Sequence, residues 1–164
     1  MIVVFFGQPH SGKSTLAKEL QQRLFIEKGI HIPIVDGDEI REIFTNKDFS
    51  RAGRIRNLQR ISDIATFLHH KYEHVIVSAV YPYVEAREYI NSINQPNSIQ
   101  WVYLTYNEDR GRESFHVKDF DYPLDTNEHG ILSINTDEVS IKDSLNKIQL
   151  EYRTKKLNQI RHEQ

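Results

Sequence analysis

The sequence predicts an α/β domain with a mainly parallel five-stranded sheet and helices on both faces. Three observations carry this. Apolar runs of strand length alternate with helical patterns along the chain, the first run passes straight into a glycine-containing turn and a helix, and 164 residues suffice for one such domain but not for two substantial ones.

Ile2–Phe6 is β-branched and aromatic without polar alternation, as expected of a parallel strand buried on both faces. Leu16, Leu20 and Leu24 then recur every four residues, Lys28-Gly29 closes that helix, and Ile32–Val35 reads as the second strand. Asp36-Gly37-Asp38 leads into a short helix over Glu39–Phe44 and a polar loop through Ser50. From about Arg54 to His70 a longer helix keeps Ile55, Leu58, Ile61, Ala65 and Leu68 on an apolar face, with Arg56, Asn57, Gln59, Arg60 and Asp63 largely elsewhere. Val75–Val80 is the third strand, Glu85–Ile93 a helix, Ile99–Leu104 the fourth strand and Ile131–Ile134 a short fifth. Ser140 with Asp143 forms an N-cap arrangement, and Ile141, Leu145 and Ile148 give the last helix a buried stripe. Residues 153–164 read as a polar, fraying tail, and the non-periodic stretch over about 107–128 reads as a lid. No repeat or linker divides the chain, so residues 1–164 are expected to form a single domain.

Composition narrows the function classes. Cysteine is absent, which excludes disulfides, thiolate metal sites and cysteine nucleophiles. The longest apolar runs are far shorter than the roughly 20 residues of a membrane helix, and the N-terminus shows no signal region, so a cytoplasmic protein without membrane partners is expected. A net charge of −2 and scattered aromatics offer no platform for nucleic acid. The histidines at 69, 70, 74 and 116 lack the companions of a metal site, and Ser78 and Tyr106 lack the turn of a hydrolase nucleophile.

Gly7-Gln8-Pro9-His10-Ser11-Gly12-Lys13-Ser14 has the spacing of a phosphate-binding loop between a strand and a helix. Glycines let successive backbone N–H groups wrap a phosphate, so Gly7, His10, Ser11 and Gly12 are candidate ATP-binding positions. Lys13 would meet the β- and γ-phosphates, Ser14 would offer its hydroxyl to Mg²⁺, and Thr15 could add a donor toward the α-phosphate. The fold expectation sharpens accordingly to a three-layer P-loop NTPase fold using ATP and Mg²⁺.

Further motifs follow in order: Asp36-Gly37-Asp38-Glu39-Ile40-Arg41, then Phe49-Ser50-Arg51-Ala52-Gly53-Arg54-Ile55-Arg56-Asn57, then Tyr81-Pro82-Tyr83 with Arg87 beyond. In content and order the chain resembles the adenylylsulfate kinases, over about residues 2–105 and again near Asp121-Tyr122-Pro123 and the final helix. The resemblance implies transfer of the ATP γ-phosphoryl group to the ribose 3′-hydroxyl of adenylylsulfate, a small-molecule nucleotide partner. Homodimers are common in that family, although nothing in this sequence marks an interface. Asp38 is the candidate to orient or deprotonate the acceptor hydroxyl, with Asp36 near the Mg²⁺ and its waters, and the two roles are interchangeable at this stage. Arg41, Arg54 and Asn57 would hold the acceptor's anionic group, and Phe49 would stack on its base.

The chain also departs from the family. Tyr81 stands where serine is usual, so no phosphoserine can form there, and Tyr81 either shapes the acceptor pocket or packs. Val84 stands where an arginine is usual. The family's Arg-Asp-Pro-Lys-Gly-Leu-Tyr run is missing. In the shortened interval, Arg110 or Arg112 could cover ATP, and Lys118 could replace a lid lysine on the substrate side. Two alternatives therefore stand: a kinase on the same scaffold with another nucleotide-linked hydroxyl acceptor, and a nucleotide-binding regulatory protein without transfer activity.

Overall fold

The computed structural model describes residues 1–107, 117–122 and 130–162, with side chains to residue 155. Its elements are β1 (Ile2–Phe6), α1 (Lys13–Lys28), β2 (Ile34–Asp36), α2 (Gly37–Ile43), α3 (Arg51–His69), β3 (Val75–Ser78), α4 (Val84–Ser92), β4 (Ile99–Thr105), β5 (Leu132–Asn135) and α5 (Ile141–His162). The five strands form one parallel sheet in the order β2-β3-β1-β4-β5, so the first strand in sequence is the middle one in space.

That position explains the composition of β1. Alternate side chains of a strand point to opposite faces, and here both faces are covered. Ile2, Val4 and Phe6 enter the core beneath α3 and α4, while Val3 and Phe5 enter the core beneath α1 and α5. No position faces water, hence no polar alternation. On the α1 side Leu16, Ala17 and Leu20 supply the buried stripe, and Gly29 ends the helix in the left-handed conformation, its N–H returning to the Phe25 carbonyl at 2.8 Å.

The structure moves several expected boundaries. Helix α3 begins at Arg51 because Ser50 caps it, its hydroxyl accepting the Gly53 N–H at 3.1 Å. Asn57 lies on the buried face of α3, not with the polar residues. The polar tail is helical through His162, since no glycine or proline stops α5 and charged side chains suit a solvated helix. Ile141, expected in the buried stripe, is exposed in the first turn of α5, whereas Leu145 and Ile148 are buried.

Candidate active site

The phosphate loop, the Asp36-Gly37-Asp38 turn and Ser78 lie at the C-terminal ends of the parallel strands β1, β2 and β3. Gly7 follows β1 directly at φ 138°, and a Cβ there would lie 2.3 Å from the Leu104 carbonyl oxygen, so only glycine fits. His10 and Gly12 also adopt positive φ, 66° and 88°, which curls the loop back toward α1. Helix α1 has neither a side-chain cap nor an acidic residue in its first turn, so its leading N–H groups and their partial positive charge are left for an anion. Ser14 and Thr15 are exposed on that first turn, while Ser11 is buried within the loop.

Lys13 is folded against the loop that carries it. Its ammonium donates to the Gln8 carbonyl at 2.6 Å and to Ser11 Oγ at 3.3 Å. Burial pushes its pKa down to about 8, against the opposite pull of Asp38 and then Asp36. The ordinary value is 10.5, so between about 8 and 10.5 the unfolded chain binds more protons than the folded one, and this group's contribution to stability rises with pH. Over the same window the charge offered to a phosphate falls. The KM for ATP is expected to rise as pH passes through about 8 while thermal stability does not fall on account of Lys13. Steady-state kinetics and melting curves across that range check both signs.

Asp36 joins the phosphate loop to the second motif. Its Oδ2 accepts the Ser14 hydroxyl at 2.9 Å and its Oδ1 accepts the Asp38 N–H at 2.9 Å, so a single carboxylate touches the loop and caps α2. Ser78, buried at the end of β3, places its hydroxyl 3.1 Å from that of Ser14. The Asp38 carboxylate is exposed, and of the two acidic side chains it acts more strongly on the Lys13 ammonium. Ser14, Asp36 and Ser78 form an oxygen-rich donor set of the kind that suits Mg²⁺ together with phosphate oxygens and water. Among the described residues no group of three or more His, Asp or Glu could hold a metal alone.

Phe49, expected to meet the acceptor, is 60% exposed and flanked by two guanidinium groups, Arg41 at 4.5 Å and Arg54 at 5.6 Å from the ring centroid. Arg41 donates to the Asn46 and Asp48 carbonyls, and Arg54 donates to the carbonyl of Phe49 itself. Burial, and then the neighbouring Arg54 charge, hold the Arg41 pKa below its ordinary value. Two like charges beside one exposed aromatic ring make a site that an anionic, base-bearing ligand would relieve.

The structure separates the other expected residues from this group. Asn57 is buried beneath the Asp36-Gly37-Asp38 turn, its Nδ2 donating to the Gly37 carbonyl at 3.4 Å and its Oδ1 without a hydrogen-bond partner. It supports the acidic turn from below. Tyr81 is fully buried: its hydroxyl lies 3.0 Å from Ser62 Oγ and its ring meets Trp101 edge-on, so of the two roles expected for it, packing is the one observed. Tyr81→Phe is expected to lower stability by about 1 kcal/mol with the acceptor KM unchanged, since Ser62 keeps its bond to the Leu58 carbonyl; melting curves and kinetics on one preparation would show it. Lys118 is exposed. Arg110 and Arg112, with most of the expected lid, lie outside the described residues.

Three participants escape a reading by motif. Gln8, at a variable position of the loop, holds Val117 through its side chain. Arg51 forms a two-pronged contact with Glu85 at 2.8 and 2.9 Å and lies over the Tyr83 ring at 4.1 Å. Ser78 left a signal, a lone hydroxyl ending an otherwise apolar strand. Away from the site, a groove of about 500 Å³ lined by Gln21, Phe25, His31 and Tyr72 shares none of these residues. Among the described residues no helix is long and apolar enough to cross a membrane.

The chain is similar to known proteins over most of its length. Residues 1–114 match the family model for adenylylsulphate kinase. An adenylyl-sulfate kinase of Deinococcus deserti is 30% identical over 161 residues, spanning 90% of this chain and 88% of that protein. A solved mutant of the Mycobacterium tuberculosis APS kinase superposes with a TM-score of 0.72 at 26% identity, covering 93% of this chain and 96% of that one. The same enzyme solved with AMPPNP and APS superposes with a TM-score of 0.77 at 24% identity and 93% and 96% coverage, a likeness of fold.

Proposed function

The chain belongs to the adenylylsulphate kinase family, and we propose from that premise that it transfers the γ-phosphoryl group of ATP to the ribose 3′-hydroxyl of adenylylsulfate, giving 3′-phosphoadenylylsulfate and ADP. The observation that carries the reading is the double contact of Asp36 with Ser14 and the Asp38 amide, which brings the phosphate loop and the acidic turn into one site beside Phe49, Arg41 and Arg54.

Phosphoryl transfer asks mainly for in-line positioning and charge neutralisation. The leading amides of α1 and the Lys13 ammonium hold the β- and γ-phosphates and neutralise the charge that gathers on the leaving ADP. The Arg41 and Arg54 guanidinium groups hold the acceptor's anionic portion and Phe49 its base, which turns the ribose toward Asp38. The Asp38 carboxylate takes the proton of the 3′-hydroxyl as the new oxygen–phosphorus bond forms and the bond to the β,γ-bridging oxygen breaks. Mg²⁺ would be held on the Ser14 and Asp36 side of the site, supplying charge neutralisation to the phosphates when bound. The contacts of Asp36 with Ser14 and the α2 cap support giving the acceptor to Asp38, which is exposed.

The test is ADP release and product formation from ATP and Mg²⁺ with adenylylsulfate or a panel of other nucleotides. Product and ADP in equal amounts, dependent on adenylylsulfate, are expected. ADP release stimulated only by another nucleotide would replace the acceptor, and tight ATP binding with no acceptor-dependent release would overturn the kinase reading.

A further inference from the structure

The segment 117–122 reaches from the phosphate loop to the starts of α3 and α4 and is tied at both ends. At its far end the Asp121 N–H donates to the Pro82 carbonyl at 2.9 Å, the Tyr122 hydroxyl donates to the Val80 carbonyl at 2.9 Å, and Arg87 bonds the Asp121 carbonyl at 2.6 Å. Between the ends, Asp119 accepts the Tyr83 hydroxyl at 3.2 Å and lies 3.9 Å from Arg51, which is also 3.8 Å from Asp121. Arg51 is the first residue of α3, two residues after Phe49. At the near end Val117, buried to 2% exposure, meets the side chain of Gln8.

That contact is a two-way one. The Val117 N–H donates to Gln8 Oε1 at 3.0 Å, and Gln8 Nε2 donates to the Val117 carbonyl at 2.9 Å. A carboxamide answers both backbone groups of one residue as a neighbouring strand would, and its orientation is unambiguous because one partner can only donate and the other only accept. Alanine or leucine would leave two buried backbone groups unpaired, and glutamate could answer only one. The Gln8 carbonyl meanwhile accepts the Lys13 ammonium. Gln8 thus touches the phosphate-binding lysine with its backbone and the segment beside the acceptor platform with its side chain.

We propose that Gln8 is a positioning residue that ties the two substrate sites together, holding 117–122 so that Asp119 and Tyr83 fix Arg51 and, through the start of α3, the Phe49–Arg54 platform. This rests on the reaction proposed above only for the identity of the acceptor. In Gln8→Ala the KM for adenylylsulfate is expected to rise about tenfold, the worth of the lost pairing, while the KM for ATP stays within about twofold. Asp119→Ala, a change at an exposed side chain, acts further along the same path and should raise the same KM. The double variant should be no worse than the more impaired single one, because both break one connection. Equal changes in the two KM values, or multiplying effects in the double variant, would overturn the proposal. Exchange of the Val117 amide, followed by NMR without any substrate, gives a readout independent of the reaction: about tenfold faster exchange in Gln8→Ala supports the link and unchanged exchange overturns it. If the wild-type protein does not phosphorylate adenylylsulfate, the reaction is wrong and the amide exchange still decides the link.

Discussion

Asp38→Asn is expected to lower kcat for adenylylsulfate phosphorylation by about a thousandfold and to leave ATP affinity within about threefold. The substitution keeps the shape of the side chain and the backbone N–H that Asp36 accepts, so the cap of α2 and the contact with Ser14 persist. What disappears is the basic oxygen and its negative charge. Pre-steady-state mixing with labelled ATP, paired with equilibrium binding of a non-hydrolysable ATP analogue, separates the two quantities. A kcat within threefold of wild type would move the proton-accepting role to Asp36. Asp36→Asn is a less clean probe, because that carboxylate serves Ser14 and the helix cap together, and its loss is expected to lower stability as well as turnover.

The second large effect is at Lys13. Lys13→Ala is expected to reduce kcat/KM for ATP by two to three orders of magnitude, since it removes the one side-chain cation within the loop that can follow charge onto the leaving phosphate. Lys13→Arg should not restore activity, because a planar fork does not fit where a compact ammonium lies 2.6 Å from a carbonyl. Folding should survive both changes. The ammonium is held below its ordinary pKa by burial, so its charge costs stability at neutral pH, and removing it should not lower the melting temperature. A retained kcat/KM in Lys13→Ala with normal nucleotide binding would mean that the backbone amides of α1 suffice, and would remove Lys13 from the mechanism.

The parts of the molecule that could be read from the sequence are those governed by local rules. The β1 run is apolar at every position because both of its faces are covered, and the loop after it is spelled by the backbone angles that Gly7 and Gly12 permit. The Asp36-Gly37-Asp38 turn and Phe49 were legible for a different reason: an acidic turn and a lone loop phenylalanine have ordinary structural uses, and it was the order and spacing of the motifs, resembling the adenylylsulfate kinases, that marked them as site candidates. Asn57 was misplaced because a helical period assigns polar residues outward, while here its amide is needed under the acidic turn. Tyr81 could not be decided from its neighbours, since its hydroxyl is satisfied by Ser62 on α3. The segment 117–122 was the least legible part, because what holds it is a pairing between residues 109 positions apart and a set of charges contributed by α3 and α4. No motif spacing encodes such a contact.

The place of β1 in the sheet also sets the order in which the site can come into being. This strand is made before its neighbours, β3 and β4, with Ile2 in register with Val75 on one side and Ile99 on the other. Until those residues emerge during synthesis, a five-residue stretch without charge or proline has nothing to pair with, a wait of roughly 5–20 s at the usual pace of translation. Such a stretch is a template for misassociation while it waits. The phosphate loop behind it stays shapeless over the same interval, because Gly7 is placed by Val80 and confined by Leu104. A nascent chain of this protein therefore gains its nucleotide site only after Leu104 has been made, and shielding of β1 during that interval is expected to raise the yield of active protein.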